Sequence, residues 1–426
     1  MTTVICPYCF TRASAARLPY RCLMTPNGVR GGAPCAPQPD ETWAAFMGPG
    51  VPPAARMRGP VFAPARRLAG LAGPGGSGSS VPCPDCGVPT PVRVCGSCHS
   101  DLPSDYCDQD SRIIALVGAK ASGKSTYVAV LRNELDHRVG QAYHASLAAM
   151  GQHTQARDRE MAEDLYERLR LPGATRPAAL GFNDPLLYRL SLPRRGLLGG
   201  SGTRHTTLVF FDAAGEDLAD AEAMDRYTRY LSAADGIILL VDPLQLGSVR
   251  DRLPVHDGPP LPVVETSPRQ IAADLAAQLR THGKGRAGGR VTTPIAVAVT
   301  KTDMLGPLLD PHSPLLHNAP HTGGAYDAED RLAVHEELRA LLTDWDSGAL
   351  LRQLEHDFAQ LSLFGLSALG APPPASAPAD VPKSGPQPVR VEDPLLWLLS
   401  LRGLLPVRTA AKDKASAAKA GKERVR

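Results

Sequence analysis

Nine consecutive residues of this chain, Gly118-Ala119-Lys120-Ala121-Ser122-Gly123-Lys124-Ser125-Thr126, have the types and spacing that hold a phosphate. They fit the G-x-x-x-x-G-K-[ST] loop. Gly118 and Gly123 let the backbone turn successive N–H groups inward on an anion, and the helix N-terminus beyond them adds partial positive charge. Lys124 can reach the β- and γ-phosphates of a nucleotide, and the Ser125 hydroxyl is a ligand for Mg²⁺. An apolar run, Ile113 to Val117, precedes the loop, and helical spacing (Val128, Leu131, Leu135) follows it. Strand, glycine loop and helix stand in the order this chemistry needs.

Three later stretches complete a nucleotide-reading set. Thr206 to Phe211 reads as a strand ending in Asp212-Ala213-Ala214-Gly215-Glu216. Asp212 there would hold Mg²⁺ through water, and the Gly215 N–H would contact the γ-phosphate. The buried-type strand Pro294 to Val299 ends in Thr300-Lys301-Thr302-Asp303. A carboxylate at Asp303 accepts both hydrogen bonds offered by the guanine N1–H and amine, a pair that adenine lacks, while the Lys301 stem packs over the base. Ser367-Ala368 follows an expected last strand, Phe358 to Leu366, where backbone amides would back the guanine O6.

The nine cysteines suggest a second chemistry. Cys83, Cys86, Cys95 and Cys98 have zinc-ribbon spacing, two knuckles each giving two thiolates to one tetrahedral Zn²⁺. Cys6 and Cys9, with the isolated Cys22 and Cys35, form a looser second four-cysteine set; an incomplete site or an exchange of knuckles between the sets is the alternative. His99 beside Cys98 reads as a solvated histidine, with a substitute ligand as the alternative, and Cys107 as left over and unligated. In a reducing cytoplasm such pairs imply metal rather than disulfide.

The elements that must position these groups follow from length and pattern. A chain of 426 residues has room for a sizeable core and two or three units. Its 41 prolines and 40 glycines require long loops. The apolar runs Ile113–Val117, Gly236–Val241 and Pro294–Val299 predict buried parallel strands, and Leu186–Leu192 with Thr206–Phe211 predicts a hairpin. Ala145 to Leu171 reads as a polar helical stretch, Ile271–Leu279 and Glu329–Leu342 as amphipathic helices, and Pro394–Leu401 as a short apolar helix. The expected fold is α/β, a P-loop NTPase with a mostly parallel sheet and helices on both faces. The expected units are a zinc-ribbon module with a Pro/Gly-rich linker over 1–108, the nucleotide domain over 109–408, and a basic tail over 409–426. Inserts are expected near 250–265 and 305–328, the latter carrying solvated histidines, and a disordered Pro/Ala linker over 370–391. Net charge, 46 − 43 = +3, is too near neutral to argue for nucleic acid or an anionic membrane. With no signal-peptide pattern at Met1–Phe10 and no apolar run of membrane-spanning length, a cytoplasmic protein is expected.

In their order, the P-loop, D-x-x-G, T-K-x-D and S-A-L motifs resemble the TRAFAC class of P-loop GTPases over about residues 111–405. The N-terminal C-P-Y-C-F, the cysteine ribbon, G-A-K-x-S-G-K-S, D-x-A-G-E-D and the late P-L-L-W-L-L stretch resemble, more narrowly, the bacterial double-GTPase family. The resemblance implies a GTP-binding and GTP-hydrolysing switch in bacterial signalling or conflict systems, acting with a protein effector or partner GTPase. It also implies a switch threonine that senses Mg²⁺ and the γ-phosphate, for which Thr175 lies in the right interval, with Arg176 beside it as an in-chain arginine finger. Glu216 stands where small GTPases carry a water-orienting glutamine, and Lys120 where a glycine is common. The competing expectations are a slowly or non-hydrolysing GTP-binding scaffold and a nucleotide-regulated zinc-ribbon reader of nucleic acid.

Overall fold

The computed structural model describes residues 3–25, 33–48, 50–63, 80–108, 110–173, 184–195, 201–212, 229–253, 267–281, 289–319, 321, 324–345, 347–374 and 376–409. Among them, seven strands form the main sheet: β1 (Asp110–Gly118), β2 (Ser146–Ala149), β3 (Leu186–Arg195), β4 (Ser201–Asp212), β5 (Gly236–Val241), β6 (Ile295–Val299) and β7 (Leu361–Gly365). Their spatial order is β2-β3-β4-β1-β5-β6-β7. β3 runs antiparallel to both β2 and β4, whereas β4, β1, β5, β6 and β7 are parallel neighbours. β3 and β4 form the expected hairpin. The helices that pack on this sheet or beside it are α1 (Lys124–Asp136), α2 (Arg138–Tyr143), α3 (Gly151–Ala162), α4 (Pro268–Thr281), α5 (Ala328–Asp344), α6 (Gly348–Asp357) and α7 (Asp393–Leu401).

The central strands are apolar on both faces because both are covered. Ile113, Ala115, Val117, Ile237, Leu239, Ile295 and Val297 share one core with Leu275 and Leu279 of α4, Leu338 of α5 and Leu354 of α6. The alternate residues Ile114, Leu116, Ile238, Leu240, Ala296 and Ala298 face Val128 and Leu131 of α1 and Leu395, Trp397 and Leu398 of α7. At Gly236 a Cβ would lie 2.8 Å from Leu398, so α7 approaches β5 more closely than any side chain would permit.

The cysteine module is not an appendage on a linker. Val4, Cys6, Cys9, Phe10, Cys95, Cys98 and Tyr106 belong to the same core as the first sheet face. The Phe10 ring lies 5.3 Å from that of Tyr230, and the Tyr106 hydroxyl donates to the Ile5 carbonyl at 2.7 Å.

Three expectations need correction. The stretch Ala145–Leu171 begins not as helix but as the edge strand β2; Ser146-Leu-Ala-Ala149 lacks β-branched residues, and only its pairing with Tyr188–Ser191 makes it a strand. The supposed linker over 370–391 is packed. Leu171 N–H donates to Ala379 O at 2.8 Å, Val381 N–H to Leu169 O at 2.7 Å, and Val381, Arg390 and Val391 are buried. Proline and alanine remove periodicity from such a segment without removing its backbone partners. The histidines of 305–328 are not all solvated either. The His321 side chain is 6% exposed and contacts Glu392, a partner 71 residues away that no local spacing reveals. Most of the insert expected near 250–265 lies outside the described residues, as does nearly all of the tail after Thr409.

Candidate functional site

The C-terminal ends of β1, β4, β5, β6 and β7 lie along one edge of the sheet, where an open α/β fold binds its ligands. β1 delivers Gly118, where a Cβ would fall 2.6 Å from Ser122 Oγ and 3.0 Å from Leu240 O. The loop turns back through Ala121 (φ +62°) and Gly123 (φ +90°), and Gly123 caps α1. Ser122 N–H donates to Ala119 O at 3.2 Å, closing the turn. Lys124 heads α1 and folds over the loop, with Nζ 2.9 Å from Gly118 O and 3.1 Å from Ala119 O. A phosphate offers the same ammonium charged oxygens in place of these carbonyls.

The base-reading end is built against this loop. Lys301 adopts left-handed backbone (φ +53°), and its Nζ donates to Ala121 O at 3.3 Å and to Asp242 Oδ2 at 2.6 Å. Asp242 directly follows β5 and is fully buried, so Lys301 supplies the charge that its carboxylate requires. Asp303, two residues on, accepts from Ser367 Oγ at 2.5 Å, and Ser367 Oγ in turn accepts from Gly370 N–H at 2.8 Å. Burial pushes the Asp303 carboxyl above the usual carboxylate range, against the Ser367 hydroxyl. Thr300 N–H donates to Val241 O at 2.9 Å and Thr302 N–H to Leu366 O at 3.2 Å, which joins the motif to strands on both sides.

The cysteines group differently from their order in the chain. One cluster is Cys6, Cys9, Cys95 and Cys98; the other is Cys22, Cys35, Cys83 and Cys86. The set Cys83, Cys86, Cys95 and Cys98 expected to share one ion is therefore divided. Each of its knuckles pairs with an earlier segment, which is the exchange alternative. Cys6–Cys98 and Cys9–Cys95 sulfurs are 3.7 and 3.5 Å apart, Cys22–Cys86 and Cys35–Cys83 sulfurs 3.6 and 3.8 Å. With Zn–S near 2.3 Å, a tetrahedron has edges of about 3.8 Å, so both donor sets fit zinc. Three knuckles share one backbone design: Phe10, Gly87 and His99 N–H donate to Cys6, Cys83 and Cys95 O, and all three residues have positive φ. Hydrogen bonding with Cys6 first of all draws Cys9 down to about 7, and backbone amides, Val88's first, draw Cys86 to about 6. Burial raises Cys6 and Cys22 of the same clusters, so Cys9 and Cys86 are thiols that give up their protons more readily than those neighbours. His99 is not a ligand: its Nδ1 lies 2.8 Å from Asp40 Oδ1. Cys107 is buried and belongs to neither cluster.

The model of the Double-GTPase 2 family matches residues 112–367, more than half of the chain. The chain belongs to that family. Among curated proteins it is 29% identical over 334 residues to the candidate ESX-1 scaffolding and assembly protein SaeC of Mycolicibacterium smegmatis, covering 74% of this chain and 81% of that one. Among solved structures it matches the SRβ-GTP/SRX signal recognition particle receptor complex of Chaetomium thermophilum, at 12% identity and TM-score 0.26, covering 62% of this chain and 94% of that one. It also matches a candidate nucleolar GTP-binding protein 1 of Plasmodium falciparum, at 12% identity and TM-score 0.26, covering 76% of this chain and 97% of that one.

In this Double-GTPase 2 chain the edge brings together Gly118 to Thr126, Thr300, Lys301, Asp303, Ser367 and Ala368. Asp212 ends β4 in register with Leu116 of β1, which puts its backbone at the same edge. Thr175, Arg176, Gly215 and Glu216 lie outside the described residues. Two residues of the site went unread in the sequence. Asp242 follows the apolar run Gly236–Val241 just as Asp212 and Thr300 follow theirs, a signal that was present. Gln245, whose Nε2 donates to Lys120 O at 3.1 Å while its buried Oε1 has no partner among the described residues, carries no such mark.

Proposed function

We propose that this P-loop GTP-binding protein is a nucleotide-dependent switch or scaffold for protein assembly, with GTP held by the edge just described. The observation that carries the reading is the Lys301 ammonium, which touches Ala121 of the phosphate loop and stands two residues from Asp303. One nucleotide can span that distance, phosphates on the loop and base on the carboxylate. Gly118 to Thr126 bind the phosphates; Lys124 exchanges its two carbonyls for phosphate oxygens. Ser125, Asp212 and Thr175 are the residues that would hold Mg²⁺, which when bound offsets phosphate charge. Asp303, aimed by Ser367, selects guanine, and the Ala368 amide backs its O6. Lys120 and Arg176 are the cations available to a γ-phosphate, and Glu216 in place of a glutamine favours slow turnover. The two zinc centres stabilise the module that packs on the sheet. The scaffolding role in the name of the SaeC relative supports action on protein partners, and the +3 net charge gives a nucleic-acid reader little support.

Competition of GTP, GDP and ATP for the purified chain tests the base assignment, with Asp303→Asn as the deciding variant. Loss of two hydrogen bonds to a charged acceptor, about 1.5–3 kcal/mol each, predicts a GTP affinity at least 100-fold weaker. ATP competing as well as GTP would sink the reading. Single-turnover hydrolysis, with Lys124→Ala as control and Arg176→Ala as the finger test, then separates switch from scaffold.

A further inference from the structure

Behind the phosphate-loop helix lies a buried polar cluster that the nucleotide chemistry does not use. His321, Glu392 and Asp393 each bring one donor atom to within 4.8 Å of the others. Glu392 is fully buried, and Asp393 at the start of α7 is 5% exposed. Glu392 Oε1 is held by Arg138 and His321, and Asp393 Oδ2 accepts from Arg390 at 2.9 Å. Yet among the described residues Glu392 Oε2 and Asp393 Oδ1 have no hydrogen-bond partner, and neither do the buried hydroxyls of Tyr127 and Tyr326. The charges of the cluster reach both: after burial, Glu392 and Asp393 push Tyr127 up, and Asp393 does the same to Tyr326. Two carboxylate oxygens of one buried cluster, each lacking a partner among the described residues, point to a missing occupant.

Charge says what kind. Within the network Arg138 pairs with Glu134 and Glu392, and Arg390 pairs with Asp330 and Asp393. Four carboxyl groups thus meet two guanidiniums, and burial, then the neighbouring Glu392, pushes the Asp393 carboxyl up to about 7. Arg331 of α5, whose charge also reaches Tyr326, donates to Ser362 instead. Carboxyl groups crowded in this way are costly to ionise unless a proton or a cation offsets them. An imidazole nitrogen with carboxylate oxygens is a donor set for Zn²⁺ or Mn²⁺, and the lack of thiolates opens it to Mn²⁺, which the cysteine clusters do not favour.

We propose that His321, Glu392 and Asp393 bind a divalent transition-metal ion, with Tyr127 and Tyr326 nearby. The ion ties together three parts of the chain: α1, through Tyr127 one turn from Lys124; the segment bearing His321 and Tyr326; and the start of α7. This site is independent of the reading of the nucleotide edge. Its role is structural, and it explains why the Pro/Ala segment ending at Arg390 is pinned at that end.

The test uses the full chain, nucleotide-free and treated with EDTA. Mn²⁺ titration followed by electron paramagnetic resonance is expected to show one tight site, retained in Ser125→Ala and weakened at least tenfold in Asp393→Asn and His321→Gln. Elemental analysis of the wild-type chain before chelation is expected to give three metal equivalents, two of them from the cysteine clusters. A wild-type chain with two equivalents and no tight Mn²⁺ site would overturn the proposal, leaving ordered water on the carboxylate oxygens; so would a variant binding Mn²⁺ as tightly as wild type. If the variants do not fold, the wild-type count decides.

Discussion

Replacing Phe10 by alanine asks whether the cysteine module and the nucleotide domain form one cooperative body. The Phe10 side chain is 7% exposed and packs at 5.3 Å on Tyr230. The Tyr230 hydroxyl donates to Ile114 O at 2.8 Å and accepts from Leu116 N–H at 2.9 Å, in the strand that delivers Gly118. Truncating a buried phenylalanine removes its burial and leaves a cavity, together about 3–5 kcal/mol. Phe10 sits at φ +59°, which alanine tolerates no better, so the backbone contributes little to the difference. A loss of about 3 kcal/mol is expected, from the lower end because the ring retains some solvent contact. Urea unfolding can be followed by Trp345 and Trp397, both buried in the nucleotide domain, and by release of a fluorescent GDP analogue. The midpoint for the nucleotide domain should fall with zinc content unchanged, because no ligand is touched. If that midpoint stays within about 1 kcal/mol of wild type, the continuous core of module and sheet is refuted.

Metal content should follow the grouping of the cysteines in space. The double variant Cys9→Ala/Cys95→Ala should lose one zinc equivalent and Cys86→Ala/Cys95→Ala two; elemental analysis showing the reverse would restore grouping by sequence. GTP affinity should weaken on acidification at a higher pH than an ordinary aspartate would give. The Asp303 carboxyl is raised by burial, guanine needs it ionised, and binding is therefore lost as pH falls through that raised value; calorimetric titration from about pH 8 to about pH 5 reads it. Arg390→Met should cost about 3–5 kcal/mol by urea denaturation, since it strands Asp330 and Asp393 beside a guanidinium site only 2% exposed; a change under about 1 kcal/mol would show the network to be dispensable.

What could be read from the sequence was whatever is local. The phosphate loop, the apolar strands and the T-K-x-D turn are each short contiguous stretches, and their order alone fixes where a parallel sheet places them. Asp242 was as readable as Asp212, and only the lack of a familiar neighbour hid it. The cysteine grouping was not readable, because C-x-x-C spacing identifies a knuckle but not its mate; the mate depends on which knuckle the sheet face brings near Phe10. The strand character of Ser146–Ala149 and the packing of 370–391 come from partners elsewhere, against weak or contrary local preference. His321 and Glu392 show the same limit, with chemistry created by a contact across 71 residues.

The nesting of the two thiol clusters has a consequence for biosynthesis. Cys6, Cys9, Cys22 and Cys35 leave the ribosome first; the inner quartet then waits for Cys86 and the outer one for Cys98. The inner quartet becomes complete before the outer one, and the outer one contributes to the core on which the sheet is laid. A chain started just before Cys83 would keep half of each quartet and close neither. The codons that precede the nucleotide domain are therefore part of what makes it, although none of them encodes a phosphate or base ligand.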